Sequence, residues 1–115
     1  MMKCSLIICT YMRPQSLLQL LRSVEGQTVY PDEILIVDGS TNRETEQLLQ
    51  ENQFENICYF LVPENFRGLT KQRNYGLDRV ASTSDVIAFL DDDTELLPDY
   101  FQELIATFAS DESIT

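Results

Sequence analysis

Apolar side chains fall into four short runs, each followed by a stretch with helical spacing, and this alternation organises the whole chain. CSLIIC (4–9), EILIVD (33–38), ICYFLV (57–62) and DVIAFL (85–90) are near-continuous and β-rich. That pattern predicts strands buried on both faces of a parallel sheet. After the first run, Pro14 suits a first helical position, Leu17, Leu18, Leu21 and Val24 share one face, and Gly26 suits the stop. Thr41 and Glu44 have capping-box spacing for a second helix ending near Asn52. Residues 69–81, with Leu69, Tyr75, Leu77 and Val80, predict a third. Pro98 opens a fourth, with Phe101, Leu104, Ile105 and Phe108 on one stripe. Four strand–helix units predict an α/β, Rossmann-like three-layer sandwich with a mainly parallel sheet, a single domain over residues 1–115.

Composition narrows what such a domain can bind. With 43% hydrophobic and 23% charged residues the balance is that of an ordinary globular core. Eight basic residues against 19 acidic ones give a net charge of −11, which argues against binding nucleic acid or an anionic membrane through bulk electrostatics. An anionic ligand must therefore be met locally. Cys4 and Cys9 should face opposite sides of one strand, and an odd third, Cys58, points to reduced thiols and a cytoplasmic setting. No apolar run approaches the roughly 18 residues a membrane span needs, and no targeting segment is evident.

In open parallel sheets ligands bind at the carboxyl ends of the strands. That rule selects TYMR, DGST, PENFRG and DDDTE, and polar residues cluster at each of them. Asp38 and Asp91 each end an apolar run, so two strands deliver a carboxylate to one edge. Asp91, Asp92 and Asp93 repel one another, and burying any of them without a partner costs several kcal/mol. In extended geometry Asp91 and Asp93 point one way and Asp92 the other, so a tightening chain brings the first and third toward one hard cation, Mg²⁺ or Mn²⁺. The plain alternative is a solvated turn that caps the next helix, which needs only one such carboxylate. Arg67, Lys71, Arg73 and Arg79 are half of the eight basic residues. Arg73 and Arg13 read equally well as phosphate contacts or solvated surface, and Arg79 reads as surface. Tyr11 can stack on a ring or cover the sheet edge.

The blocks SLIICTYMRPQSLLQLLRSVEGQTVYPDEILIVDGST, GLTKQRNYGL and VIAFLDDDTELLPDYFQEL resemble, in order and spacing, the nucleotide-binding half of family 2 glycosyltransferases of the GT-A fold. The resemblance covers essentially the whole chain. It implies an inverting transfer of sugar from a nucleotide-diphosphate donor, UDP in particular, with Mn²⁺ or Mg²⁺ between the acidic motif and the diphosphate. Residue by residue, it implies Asp93 as metal ligand, with Asp91 and Asp92 contacting metal water or ribose. Thr10 and Tyr11 would line the nucleobase, with Arg13 beside them. Asp38 would accept the uracil N3 hydrogen, and Arg73 would reach base or phosphate.

Members of that family continue past the metal motif to acceptor contacts and a catalytic carboxylate. The expectation is therefore a donor-binding part with its base elsewhere; nothing in the resemblance gives that role to Glu95 or Asp99. The acceptor, saccharide or lipid-linked, would sit with the absent half, in a longer protein peripheral to a membrane. Alone, this chain should transfer no sugar and self-associate through uncovered apolar surface. The main rival is a non-catalytic nucleotide-binding or assembly module. An aspartyl phosphohydrolase wants Thr where Glu95 stands, and a receiver domain wants paired acids where the chain has CTYMR.

Overall fold

The structure, a computed structural model, describes residues 2–94 and 96–110. It contains β1 (Cys4–Thr10), α1 (Pro14–Glu25), β2 (Glu33–Asp38), α2 (Glu44–Glu51), β3 (Ile57–Leu61), a 3₁₀ turn (Glu64–Phe66), α3 (Leu69–Leu77), β4 (Val86–Asp91) and α4 (Tyr100–Ser110). The strands form one parallel sheet in the order β3-β2-β1-β4.

That order dictates where the helices go. From β1 through β3 the chain steps outward in one direction, then returns past β1 to lay down β4 on the other side. Crossovers between parallel strands are right-handed, so a reversal of direction moves the connecting helix to the opposite face. Leu17, Leu20, Leu21 and Val24 of α1 accordingly pack with Phe101 of α4 against Leu6, Ile8, Ile34 and Ile36. On the other face, Tyr75 and Val80 close over Ile7, Leu35 and Val37. Cys4 joins the first cluster and Cys9 the second, as their spacing predicts, and the three cysteines are free thiols.

The predicted three layers are present, with corrections at their margins. All four runs read as doubly buried strands, yet only β1 and β2 are central. In β4, Ile87 and Phe89 are exposed because α3 rests on β1 and β2, and Cys58 is exposed on the opposite edge strand. The Thr41 capping box does not form. Helix α2 starts only at Glu44, whose N–H is held by Asn42 Oδ1 at 3.1 Å, and the Thr41 hydroxyl turns to Met12 Sδ instead. Helix α3 stops at Leu77, where 3.0 and 2.9 Å bonds from Asp78 N–H to Asn74 O and from Arg79 N–H to Gly76 O tighten the chain. Pro98 lies just ahead of α4, its carbonyl accepting a 2.8 Å bond from Thr28 N–H.

Candidate functional site

Strand order reverses between β1 and β4, and a cavity of about 700 Å³ opens there at the carboxyl ends of the strands. The end of β1 supplies Cys9, Thr10, Tyr11 and Arg13. Opposite stand Asp91, Asp92 and Asp93 after β4, and the entrance to α3 adds Arg67, Gly68, Leu69 and Gln72. Gly68 holds φ at 114°, a backbone state that side chains bearing a Cβ rarely adopt.

The acidic run is a turn. The Thr94 N–H donates to Asp91 O at 3.1 Å, which tightens the chain as soon as β4 ends. Asp92 is buried and points inward, accepting from Thr10 Oγ1 at 2.9 Å and from an Arg13 guanidinium nitrogen at 3.4 Å. Asp91 and Asp93 point outward with side chains 67% and 65% exposed. Arg13 also lies 3.8 Å from Asp93, and Arg73 lies 3.9 Å from Asp91. Two guanidinium groups thus oppose three carboxylates, through partly exposed pairs of the kind that contribute little individually.

Among the described residues no three acidic, Cys or His side chains converge as a metal cage. The outward pair, Asp91 and Asp93, nevertheless supplies hard oxygen donors beside an open cavity. That donor set fits a Mg²⁺-like ion completing its shell with water and ligand phosphates, and does not fit an ion held by protein alone.

Of the residues singled out in the sequence, the structure brings Thr10, Tyr11, Arg13, Asp91, Asp92 and Asp93 to the cavity. Arg73 stands beside Asp91, its guanidinium over the Phe89 ring at 5.6 Å. Arg79 folds onto the Tyr75 ring at the surface. Asp38 is not brought to the cavity. It is fully buried, with Oδ1 accepting from Ser40 N–H at 2.9 Å and Ser40 Oγ at 2.5 Å, and Oδ2 accepting from Tyr59 Oη at 2.6 Å. Asp99 does not line the cavity either, and Glu95 falls outside the described residues. Burial, the main cause, pushes the Cys9 thiol up to about 11; Arg73 pulls it down less, and Asp91 and Asp92 add to the rise. Burial thus favours the neutral thiol of Cys9, which forms part of the cavity wall.

Leu69 and Gln72 have no role assigned from the sequence, whereas Arg67 and Gly68 lie in PENFRG, one of the strand ends it selects. The one available signal was Gln72, a polar residue one turn before Gly76 on the helix face that meets the sheet.

The family model described as "Glycosyl transferase family 2" matches residues 5–115. Glucosyl-dolichyl phosphate glucuronosyltransferase of Haloferax volcanii is 31% identical over 110 residues, covering 93% of this chain and 34% of that protein. GalNAc(5)-diNAcBac-PP-undecaprenol beta-1,3-glucosyltransferase of Campylobacter jejuni is 32% identical over 99 residues, covering 84% of this chain and 31% of that protein. This chain therefore spans about a third of the length of these curated relatives. The crystal structure of S. aureus TarS 1-349 in complex with UDP-GlcNAc superimposes with a TM-score of 0.78 at 24% identity, covering 95% of this chain and 32% of that one.

Proposed function

The chain belongs to glycosyl transferase family 2, and from that premise we propose that it forms the donor-binding part of an enzyme transferring a sugar from a nucleoside diphosphate, UDP in particular, to an acceptor hydroxyl. The observation that carries this reading is the switch-point cavity, where an acidic turn and arginines from two elements face the same space. Each residue has a task there. Thr10 and Tyr11 take the nucleobase, Tyr11 being 53% exposed with an aromatic ring suited to stacking. Arg13 and Arg73 reach the phosphates or base. Asp92 acts from behind, holding the Thr10 hydroxyl and the Arg13 guanidinium. Asp38 acts farther back, through Ser40, whose Oγ accepts the Met12 N–H at 2.8 Å and so ties down the loop that carries Tyr11.

Asp93 and Asp91 would hold Mn²⁺ or Mg²⁺, which supplies neutralisation of the diphosphate as it leaves. Inverting stereochemistry follows from the family resemblance. A lipid-linked acceptor, and with it a peripheral seat at a membrane, is favoured by two relatives whose names carry dolichyl phosphate and PP-undecaprenol; a free saccharide acceptor is the alternative. No helix among the described residues is long and apolar enough to cross a membrane. Ile87 and Phe89 on the open side of β4 are the surface through which a second copy would associate.

Calorimetry tests the donor site. UDP should bind with Mn²⁺ present and lose most of its affinity in EDTA, and Asp93→Ala should abolish the difference. Equal affinity in both conditions for the unaltered chain would refute the metal-assisted donor site.

A further inference from the structure

Helix α3 turns two buried residues toward the sheet, Gln72 and Gly76. At Gly76 the contact is apolar and close, since an added Cβ would stand 2.9 Å from Ile7 Cγ2. One turn earlier an apolar side chain would be the ordinary choice, because burying an amide without partners costs about 1–3 kcal/mol. Gln72 is 4% exposed and has its partners. Its Nε2 donates to Val37 O at 2.9 Å and to Thr10 O at 3.2 Å, and its Oε1 accepts from Gly68 N–H at 3.1 Å.

These three groups belong to three separate elements. Thr10 O is the last carbonyl of β1, Val37 O lies at the end of β2, and Gly68 is the residue from which α3 departs. Thr10 also bonds Asp92 through its side chain, so the amide is connected to the acidic turn through one residue. No charge is involved, and every partner is main chain. The arrangement ties β2 to β1 and to the α3 entrance, the two elements whose ends line this side of the cavity. Gly39 completes the seat, for a Cβ there would lie 2.8 Å from Gln72 Oε1 and 3.3 Å from Arg67 Cγ.

We infer that Gln72 is a positioning residue of the donor site, a neutral clamp that sets where the α3 entrance stands relative to the Thr10–Tyr11 edge. This rests on the donor-site reading above. It requires a side chain with donor and acceptor on one planar end. Methionine fills a similar volume with neither, and glutamate at neutral pH turns a carboxylate onto two carbonyls.

The test compares the unaltered chain with Gln72→Met and Gly39→Ala, the second moving the clamp without changing it. One readout needs no ligand: amide hydrogen exchange at Gly68, which should quicken at least about tenfold in both variants while β1 and β2 interior amides keep their protection. The other is UDP affinity with Mn²⁺ at a temperature where each protein is fully folded; it should fall about ten- to a hundredfold. Unchanged Gly68 exchange overturns the inference whatever UDP does. Exchange that quickens evenly across the sheet also overturns it, making Gln72 a stability residue only. Local quickening with undiminished UDP affinity separates the clamp from the donor site and overturns its stated role. If the unaltered chain binds no UDP, the donor reading falls by itself, and local quickening still supports the clamp as the feature that sets the α3 entrance.

Discussion

Asp38→Asn separates a residue that braces the site from one that touches the ligand. The carboxylate is fully buried and accepts three hydrogen bonds, two from Ser40 and one from Tyr59. An amide of the same shape can keep Oδ1 toward Ser40 N–H, which cannot turn away, and present Nδ2 to the Tyr59 hydroxyl, which can rotate to accept. All three bonds can therefore survive in neutral form. A bond to a charged group contributes about 1.5–3 kcal/mol and a neutral one about 0.5–1.5, so the loss is roughly 1 kcal/mol per bond. Relief from burying a charge offsets part of that total, which leaves a net destabilisation of about 1–3 kcal/mol. For a chain of this size that lowers the melting temperature by roughly 4–15 °C. Urea denaturation followed by circular dichroism measures the stability, and calorimetry at a temperature where both forms are folded measures UDP. The expected result is a lower urea midpoint with UDP affinity within about threefold, an indirect effect through Ser40 and Met12. A tenfold or greater loss of UDP with an unchanged midpoint would refute the reasoning and make Asp38 a direct uracil contact, as the family resemblance implies.

Two further outcomes follow from packing and titration. Gly76→Ala forces a methyl to 2.9 Å from Ile7 Cγ2 and 3.4 Å from Val37 Cγ2 beneath a helix with little room to move, and should cost about 1–3 kcal/mol in urea unfolding; a neutral or stabilising result would mean that α3 lifts freely from the sheet. Burial, in each case the leading cause, pushes the thiols of Cys4 and Cys9 up to about 11 and the Tyr30 hydroxyl up to about 12, and raises Tyr59 as well, with Asp38 adding to the last. Each folded pKa lies above its unfolded value, so the stability these groups contribute is complete below the unfolded thiol range near pH 9 and is lost as pH climbs through the folded values. The urea midpoint should hold from pH 7 to about 8.5 and fall steadily by pH 10.5, and a flat profile to pH 10.5 would contradict the burial of these groups.

Periodicity and turn chemistry carried the elements themselves. Pro14 does open α1, and Leu17, Leu21 and Val24 do face the core, because those features act within one helix and need no knowledge of the rest. The capping box at Thr41 illustrates the opposite case. Its spacing is correct, but the chain stays non-helical until Glu44, and Thr41 meets Met12 from the end of β1, a neighbour 29 residues away in sequence. The acidic turn was legible because three adjacent carboxylates require explanation in any fold. That only the middle one turns inward follows from strand alternation, whereas its partners Thr10 and Arg13 come from another strand end.

Strand order is the link that no single run records. The runs at 4–9 and 85–90 are alike in composition, yet one becomes the centre of the sheet and the other its edge. The reversal that separates them also decides which face α3 covers and where the strand ends part to open a cavity. Gln72 depends on that same reversal. Only when α3 lies across β1 and β2, on the face opposite α1, does its amide meet Thr10 O and Val37 O together. A glutamine in a helix of low amphipathicity reads locally as solvent-facing, and its three partners are main-chain groups, which leave no trace in side-chain identity. Residues that hold a site through backbone contacts are therefore the class that pattern reading misses first. Asp38 stands off the cavity, and the sequence does not show it for a related reason: an acid at a strand end looks the same in sequence whether it faces a ligand or a serine two residues on. What separates the two cases is the Tyr59 hydroxyl arriving from β3, an interaction that exists only once β3 is paired with β2.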